Sequence, residues 1–114
     1  MLAFNVRIYQ RYVYSDIRFS GYNYNSQNKH WYNPKAALID GDANVTVRFG
    51  YDDDETLWVA IPRTSYTGIE ITNVTNGFKE HTFGNNFSEL FTITYVNSVE
   101  ELGTIQTTYD LVPL

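Results

Sequence analysis

No cysteine occurs among the 114 residues, which excludes disulfide frameworks, thiolate metal sites and a cysteine nucleophile together. Proline is scarce at 3, and no apolar run approaches the roughly 20 residues of a membrane span. Met1 is followed by Leu2-Ala3-Phe4-Asn5-Val6, without the basic flank and small-residue run of a secretory signal. Basic residues are also few. The 8 Lys+Arg stand against 13 Asp+Glu, a formal charge of -5, so the basic face that a general DNA or RNA binder needs is missing. We therefore expect neither a nucleic-acid partner nor membrane insertion.

Histidine is limited to His30 and His81, which have no ligand spacing, and two histidines cannot make a three-His zinc site. A Ser-His-Asp triad would need one of them, and no Gly-x-Ser-x-Gly elbow supports it. The carboxylates that might pair for glycoside hydrolysis are Asp40, Asp42, Asp52, Asp53, Asp54, Glu55 and Glu70. All but Glu70 fall in turn regions, where acids are ordinarily solvated. Asp40-Gly41-Asp42 and the Asp52–Asp54 run offer oxygens to calcium but do not fit the EF-hand pattern. The sequons at Asn44, Asn73 and Asn86 are what a chain rich in Asn and Thr produces by accident. The expectation is a protein that is not an enzyme and uses no cofactor and no metal.

What the chain has in quantity is aromatic residues: Tyr 10, Phe 7 and Trp 2, or 17% of the whole, with Tyr the commonest. Thr and the aromatics favour strands, while Asn favours turns. Period-two alternation runs through Phe4-Val6-Ile8, Ile17-Phe19-Gly21, Val45-Val47-Phe49, Leu57-Val59-Ile61, Ile69-Ile71-Asn73, Phe91-Ile93-Tyr95 and Ile105-Thr107-Tyr109. Ala36–Ile39 reads as a further short strand after a local stop at Asn33-Pro34, and Pro62 ends the strand begun at Leu57. Turns are expected at Asn25–Asn28, Asp40-Gly41, Asp52–Glu55 and Asn76-Gly77. Ser98 to Glu101 has capping-box spacing with room for one helical turn before Gly103. The fold expected is a single all-β domain over residues 1–114, an antiparallel β-sandwich or small barrel.

Tyr22, Tyr24, Trp31 and Tyr32 fall within eleven residues, around a polar loop that includes Asn23, Asn25, Asn28 and Asn33. Aromatic faces stack on sugar rings, and Asn side chains supply paired donors and acceptors for hydroxyls. Trp58 alternates with Leu57 and Val59, so it points outward if they face the core. Packing against the sheet or a neighbouring subunit is the competing role for all these rings.

Several of these residues recur in a fixed order. Gly21-Tyr22-Asn23-Tyr24, Trp31-Tyr32-Asn33-Pro34-Lys35-Ala36, Val45–Asp52, Leu57–Ile61 and Ile69–Val74 follow one another in a succession that resembles a module near the C-terminal end of bacteriophage tail fibres and tailspikes. That module often precedes a self-cleaving intramolecular chaperone domain. The resemblance covers Phe19 to Ile93. It departs at Pro62–Thr67, where a Gly-Glu-Thr-Asn-like turn, a Trp and a Tyr-Pro are replaced and only Tyr66 is kept. It implies a homotrimeric fibre-tip domain on the virion, acting outside the host cell and contacting a surface polysaccharide or an outer-membrane receptor. Carbohydrate contacts would then fall on Tyr22, Tyr24, Trp31, Tyr32, Asn33, Trp58 and Tyr66. The alternatives are a structural trimerisation segment of the fibre, or a carbohydrate-binding module attached to a polysaccharide-degrading enzyme. Strand pattern starts almost at Met1 and runs nearly to Leu114, so we expect the chain to be a piece of a longer fibre protein.

Overall fold

The computed structural model describes residues 1–23, 30–54, 56–64, 66–76 and 91–113. Tyr24, the Asn25–Asn28 turn, Glu55, Gly77, His81 and Asn86 lie outside the described residues.

Six of the alternating runs, with the Ala36–Ile39 segment, become seven strands among the described residues: β1 Leu2–Gln10, β2 Val13–Asn23, β3 Trp31–Gly41, β4 Val45–Tyr51, β5 Leu57–Ala60, β6 Thr67–Asn76 and β7 Thr104–Leu111. They form two antiparallel sheets, one in the order β3-β2-β1-β6 and one in the order β5-β4-β7. This is an all-β sandwich. Its core is made where the apolar faces meet: Phe4, Val6, Ile17, Phe19 and Leu38 from the first sheet, Val47 and Phe49 from the second, and Trp31 from the start of β3. The aromatic members interlock, Phe19 meeting Phe49 edge-on at 5.6 Å and Trp31 meeting Phe49 at 5.1 Å between ring centroids.

Asp40-Gly41, expected as a turn, instead closes β3 and pairs with Asp16 and Ser15, and two further expectations are corrected. Asn33-Pro34 does not stop the chain, because β3 continues through it as an edge strand, where a missing N–H is tolerated. The register with β2 slips there: Lys35 faces Ser20 but Tyr32 faces Tyr22, so one extra residue bulges out. Asn33 takes φ 53, a left-handed conformation that Asn adopts more cheaply than most residues. The same device recurs in β6, where Asn73 has φ 51 at the slip between the Ala3–Thr75 and Asn5–Thr72 pairs. The second of these corrections concerns Phe91–Val96, which alternates like a strand but joins no ladder among the described residues. Phe91 reaches the core, its ring 4.8 Å from that of Phe4, while Ile93 and Tyr95 are exposed.

The outward face of the first sheet carries a polar network. Asn5 Nδ2 donates to Asp16 Oδ1 at 3.3 Å, and Arg18 Nη1 donates to Asn5 Oδ1 at 2.8 Å and to the Asn73 carbonyl at 2.7 Å. Arg7 bridges Asp16 and Glu70 at 3.5 and 3.3 Å. These bonds tie β1, β2 and β6 together and hold the β6 bulge. The predicted helical turn forms as a 3-10 turn at Val99–Leu102, with the Glu101 carboxylate accepting from the N–H groups of Asn97 and Ser98 at 2.8 and 2.9 Å.

Candidate functional site

The expected aromatic residues are divided between the two ends of the sandwich. Trp31, Tyr32 and Asn33 open β3 opposite the last residues of β2, at the end where β4 finishes and β5 begins. Tyr66 precedes β6 at the other end, where Thr67 pairs with Gln10.

Trp31 is a core residue and not a stacking platform. It is 4% exposed, and its indole N–H donates to the carbonyls of Gly50 at 3.0 Å and Trp58 at 3.2 Å. The ring lies so close over Gly21 that a Cβ there would sit 2.5 Å from Trp31 Cε3. Trp58 does point away from Leu57 and Val59, which pack on the core, but it is half-buried across Gly50, where a Cβ would collide with its ring. Its indole N–H is buried with no hydrogen-bond partner among the described residues. Asn33 serves the bulge. Tyr22 and Tyr32 pair across β2 and β3, Tyr22 half-buried and Tyr32 exposed, and are the two of this group with ring surface facing outward. Beside them His30 stacks on Tyr51 at 3.9 Å.

The opposite end carries the more exposed rings. β1 and β2 are joined by the two-residue turn Arg11-Tyr12 between the paired Gln10 and Val13. Tyr12 is 90% exposed, Tyr66 70%, Tyr95 54% and Tyr9 53%. Two arginines lie over these rings: Arg11 Cζ is 5.4 Å from the Tyr12 centroid and 5.8 Å from that of Tyr66, and Arg63 Cζ is 4.9 Å from that of Tyr95. Such stacking contributes about 0.5–1 kcal/mol per pair at an exposed site, enough to bias the arginines without immobilising them. Tyr9 and Tyr14 add a tilted pair at 4.9 Å, and the Tyr14 phenol is pushed up in pKa by desolvation and by Asp16.

The loop that presents Arg63 and Tyr66 is held locally. Thr67 Oγ1 donates to the Thr64 carbonyl at 2.7 Å and accepts from the Thr64 N–H at 3.2 Å. Gln10 Nε2 donates to the Pro62 carbonyl at 2.9 Å, which joins this loop to the end of β1. The tyrosine end is thus two short connections cross-linked to each other.

Of the residues at this end the sequence singled out Tyr66 and not Tyr9, Arg11, Tyr12, Arg63 or Tyr95. Arg-Tyr has none of the Gly or Asn signals of a tight hairpin, although the runs Phe4–Ile8 and Ile17–Gly21 leave the chain little room to reverse anywhere else. Tyr95 was hidden by its strand-like alternation.

The candidate carboxylates are spread over the molecule. Asp42 is bonded to the backbone of Tyr14, Asp52 caps its own turn by accepting from the N–H groups of Asp54 and Thr56 at 2.9 Å each, and Glu70 faces Arg7 on the outer sheet surface. No group of three or more His, Cys, Asp or Glu that could hold a metal ion occurs among the described residues. A cleft of about 930 Å³ opens between the sheets along β5 and β6, lined by the inward faces of residues such as Phe4, Val6, Ile69, Ile71 and Leu57. Its walls are the sandwich core.

The sequence matches no protein-family model, no curated protein and no solved structure.

Proposed function

We propose that this chain is a non-enzymatic host-recognition domain of a bacteriophage tail fibre that contacts a cell-surface polysaccharide, working as a homotrimer on the virion. The reading rests on the resemblance over Phe19 to Ile93, and the observation that carries its binding part is the set of exposed tyrosines at one end of the sandwich. Tyr9, Tyr12, Tyr66 and Tyr95 offer ring faces for sugar stacking and phenol groups for hydroxyls, on connections that a rigid scaffold positions. The test is staining of whole bacteria by the fluorescently labelled protein, before and after periodate oxidation of surface glycans. Staining lost on oxidation supports the reading; absence of staining across a broad panel of strains contradicts it.

One observation favours a structural role in the same fibre. Phe91–Val96 alternates like a strand, joins no ladder among the described residues and leaves Ile93 and Tyr95 exposed, which are features that contact with another copy would cover. A trimer in solution that stains no bacterium is the outcome that favours this second reading.

A further inference from the structure

We propose that the tyrosine end of the sandwich selects a saccharide bearing a carboxylate, of the uronic-acid type, with Arg11 and Arg63 as its anion-binding groups. This rests on the polysaccharide-binding reading above and specifies the ligand within it.

The arginines carry the inference. In a chain with 13 acidic and 8 basic residues, cations are expected to be claimed by acids. Arg7 is, by Asp16 and Glu70, and Arg18 is occupied by Asn5 and the Asn73 carbonyl. Arg11 and Arg63, like Arg48, have no carboxylate within 4.0 Å among the described residues, and they differ from Arg48 in lying over exposed tyrosine rings. Neither the Arg11 nor the Arg63 guanidinium donates a hydrogen bond among the described residues, so the five N–H donors of each are available for the two oxygens of a carboxylate. Tyrosine beside arginine therefore supplies a surface for a sugar ring and a fork for its acid group.

The backbone gives a second, independent indication. Tyr12 holds φ 66 in the β1–β2 turn, a conformation in which a bulky residue is an outlier and where Gly or Asn would sit at less cost. A residue that is 90% exposed gains little from packing to offset that cost. Strain of this kind collects at binding sites, and here it sets an aromatic ring beside Arg11.

Tyrosine, arginine, threonine and glutamine give the patch the stacking faces and hydrogen-bonding groups that a saccharide needs. Tyrosine and arginine are enriched at protein–protein interfaces as well, so the choice of a saccharide comes from the functional reading above and protease treatment of the cells separates the two. The net charge of -5 also constrains the ligand, since it opposes a dense polyanion at low salt. One carboxylate per repeat among neutral sugars meets both conditions.

The experiment uses polysaccharides purified from bacteria that the labelled protein stains and whose repeat carries one uronic acid, each beside its carboxyl-reduced form. Affinity is measured for the wild type, Arg11→Gln and Arg63→Gln, all checked for folding by circular dichroism. Loss of a charge-assisted hydrogen bond corresponds to about tenfold or more in affinity. We expect that loss on reduction of the polymer. Arg11→Gln and Arg63→Gln should each reproduce it on the native polymer and narrow the difference in affinity between the native and reduced forms. Equal affinity of the wild type for native and reduced forms overturns the carboxylate assignment while leaving polysaccharide binding intact. Staining that is abolished by protease treatment of the cells, with no purified polymer bound, overturns it in favour of a protein receptor. Absence of staining throughout overturns the functional reading beneath it.

Discussion

The Gln106 side-chain amide hydrogen-bonds both backbone groups of Trp31, accepting from its N–H at 3.0 Å and donating to its carbonyl at 2.6 Å. A side chain thereby takes the place of a neighbouring strand at the edge of β3. Tyr109 continues the seam, its hydroxyl donating to the Pro34 carbonyl at 2.5 Å. Three features of Trp31 follow from this position: a pinned backbone, an indole N–H committed to β4 and β5, and a ring set against Gly21 and Phe49.

Trp31→Ala should destabilise the fold by about 3–5 kcal/mol, the usual range for removing a large buried aromatic. Urea denaturation followed by far-ultraviolet circular dichroism measures it. A change under about 1 kcal/mol would mean that the ring is not part of the core.

The two bulge asparagines should respond to conformation and not to side-chain chemistry. Asn33→Ala and Asn73→Ala each place a Cβ residue without Asn's local hydrogen bonding at positive φ, with an expected loss of about 1 kcal/mol. Asn33→Gly should be close to neutral. If glycine at position 33 costs as much as alanine, the asparagine amide itself matters and the bulge explanation fails.

Tyr12→Gly should raise stability, because glycine adopts φ 66 without the steric cost that tyrosine bears there. A gain of about 0.5–1 kcal/mol corresponds to a few degrees in Tm for a domain of this size. Thermal melts of the two proteins check it. Unchanged or lower Tm would show that the Tyr12 backbone is not strained.

The Glu100 carboxyl accepts from the Ser98 hydroxyl and lies in the field of Arg48, and its pKa is lowered, chiefly by the Ser98 bond. A depressed carboxylate contributes stability above its unfolded pKa and loses that contribution as pH falls through the folded value. Its ¹³C carboxyl titration should have a midpoint below the ordinary glutamate value. Ser98→Ala should move that midpoint upward; an unmoved midpoint contradicts the assigned cause.

The fold was legible where one physical rule decided the outcome. Phe4-Val6-Ile8 and Val45-Val47-Phe49 alternate because one sheet face is buried, and each became a strand with that face in the core. Phe91-Ile93-Tyr95 shows the limit, since period two describes a residue pattern and cannot tell whether a neighbouring strand is there to complete a ladder. Asn33-Pro34 read as a stop because the propensity of Pro is local, whereas edge position, which makes it tolerable, is a property of the whole sheet. For the site, clustering in sequence pointed to Tyr22–Tyr32, and there the strongest candidate, Trp31, is buried. The exposed tyrosines come from four separate segments, ending β1, in its turn, before β6 and before the 3-10 turn. Antiparallel pairing gathers the first three, and the stacking of Arg63 on Tyr95 brings in the last.

The most direct measurement compares two double variants by cell staining. Tyr12→Ala with Tyr66→Ala removes rings at the hairpin end, while Tyr22→Ala with Tyr32→Ala removes the outward pair at the other end. Provided that both retain the wild-type circular dichroism spectrum, the first should lose staining and the second should keep it. Staining kept by the first and lost by the second would contradict recognition at the hairpin end and return it to Tyr22 and Tyr32.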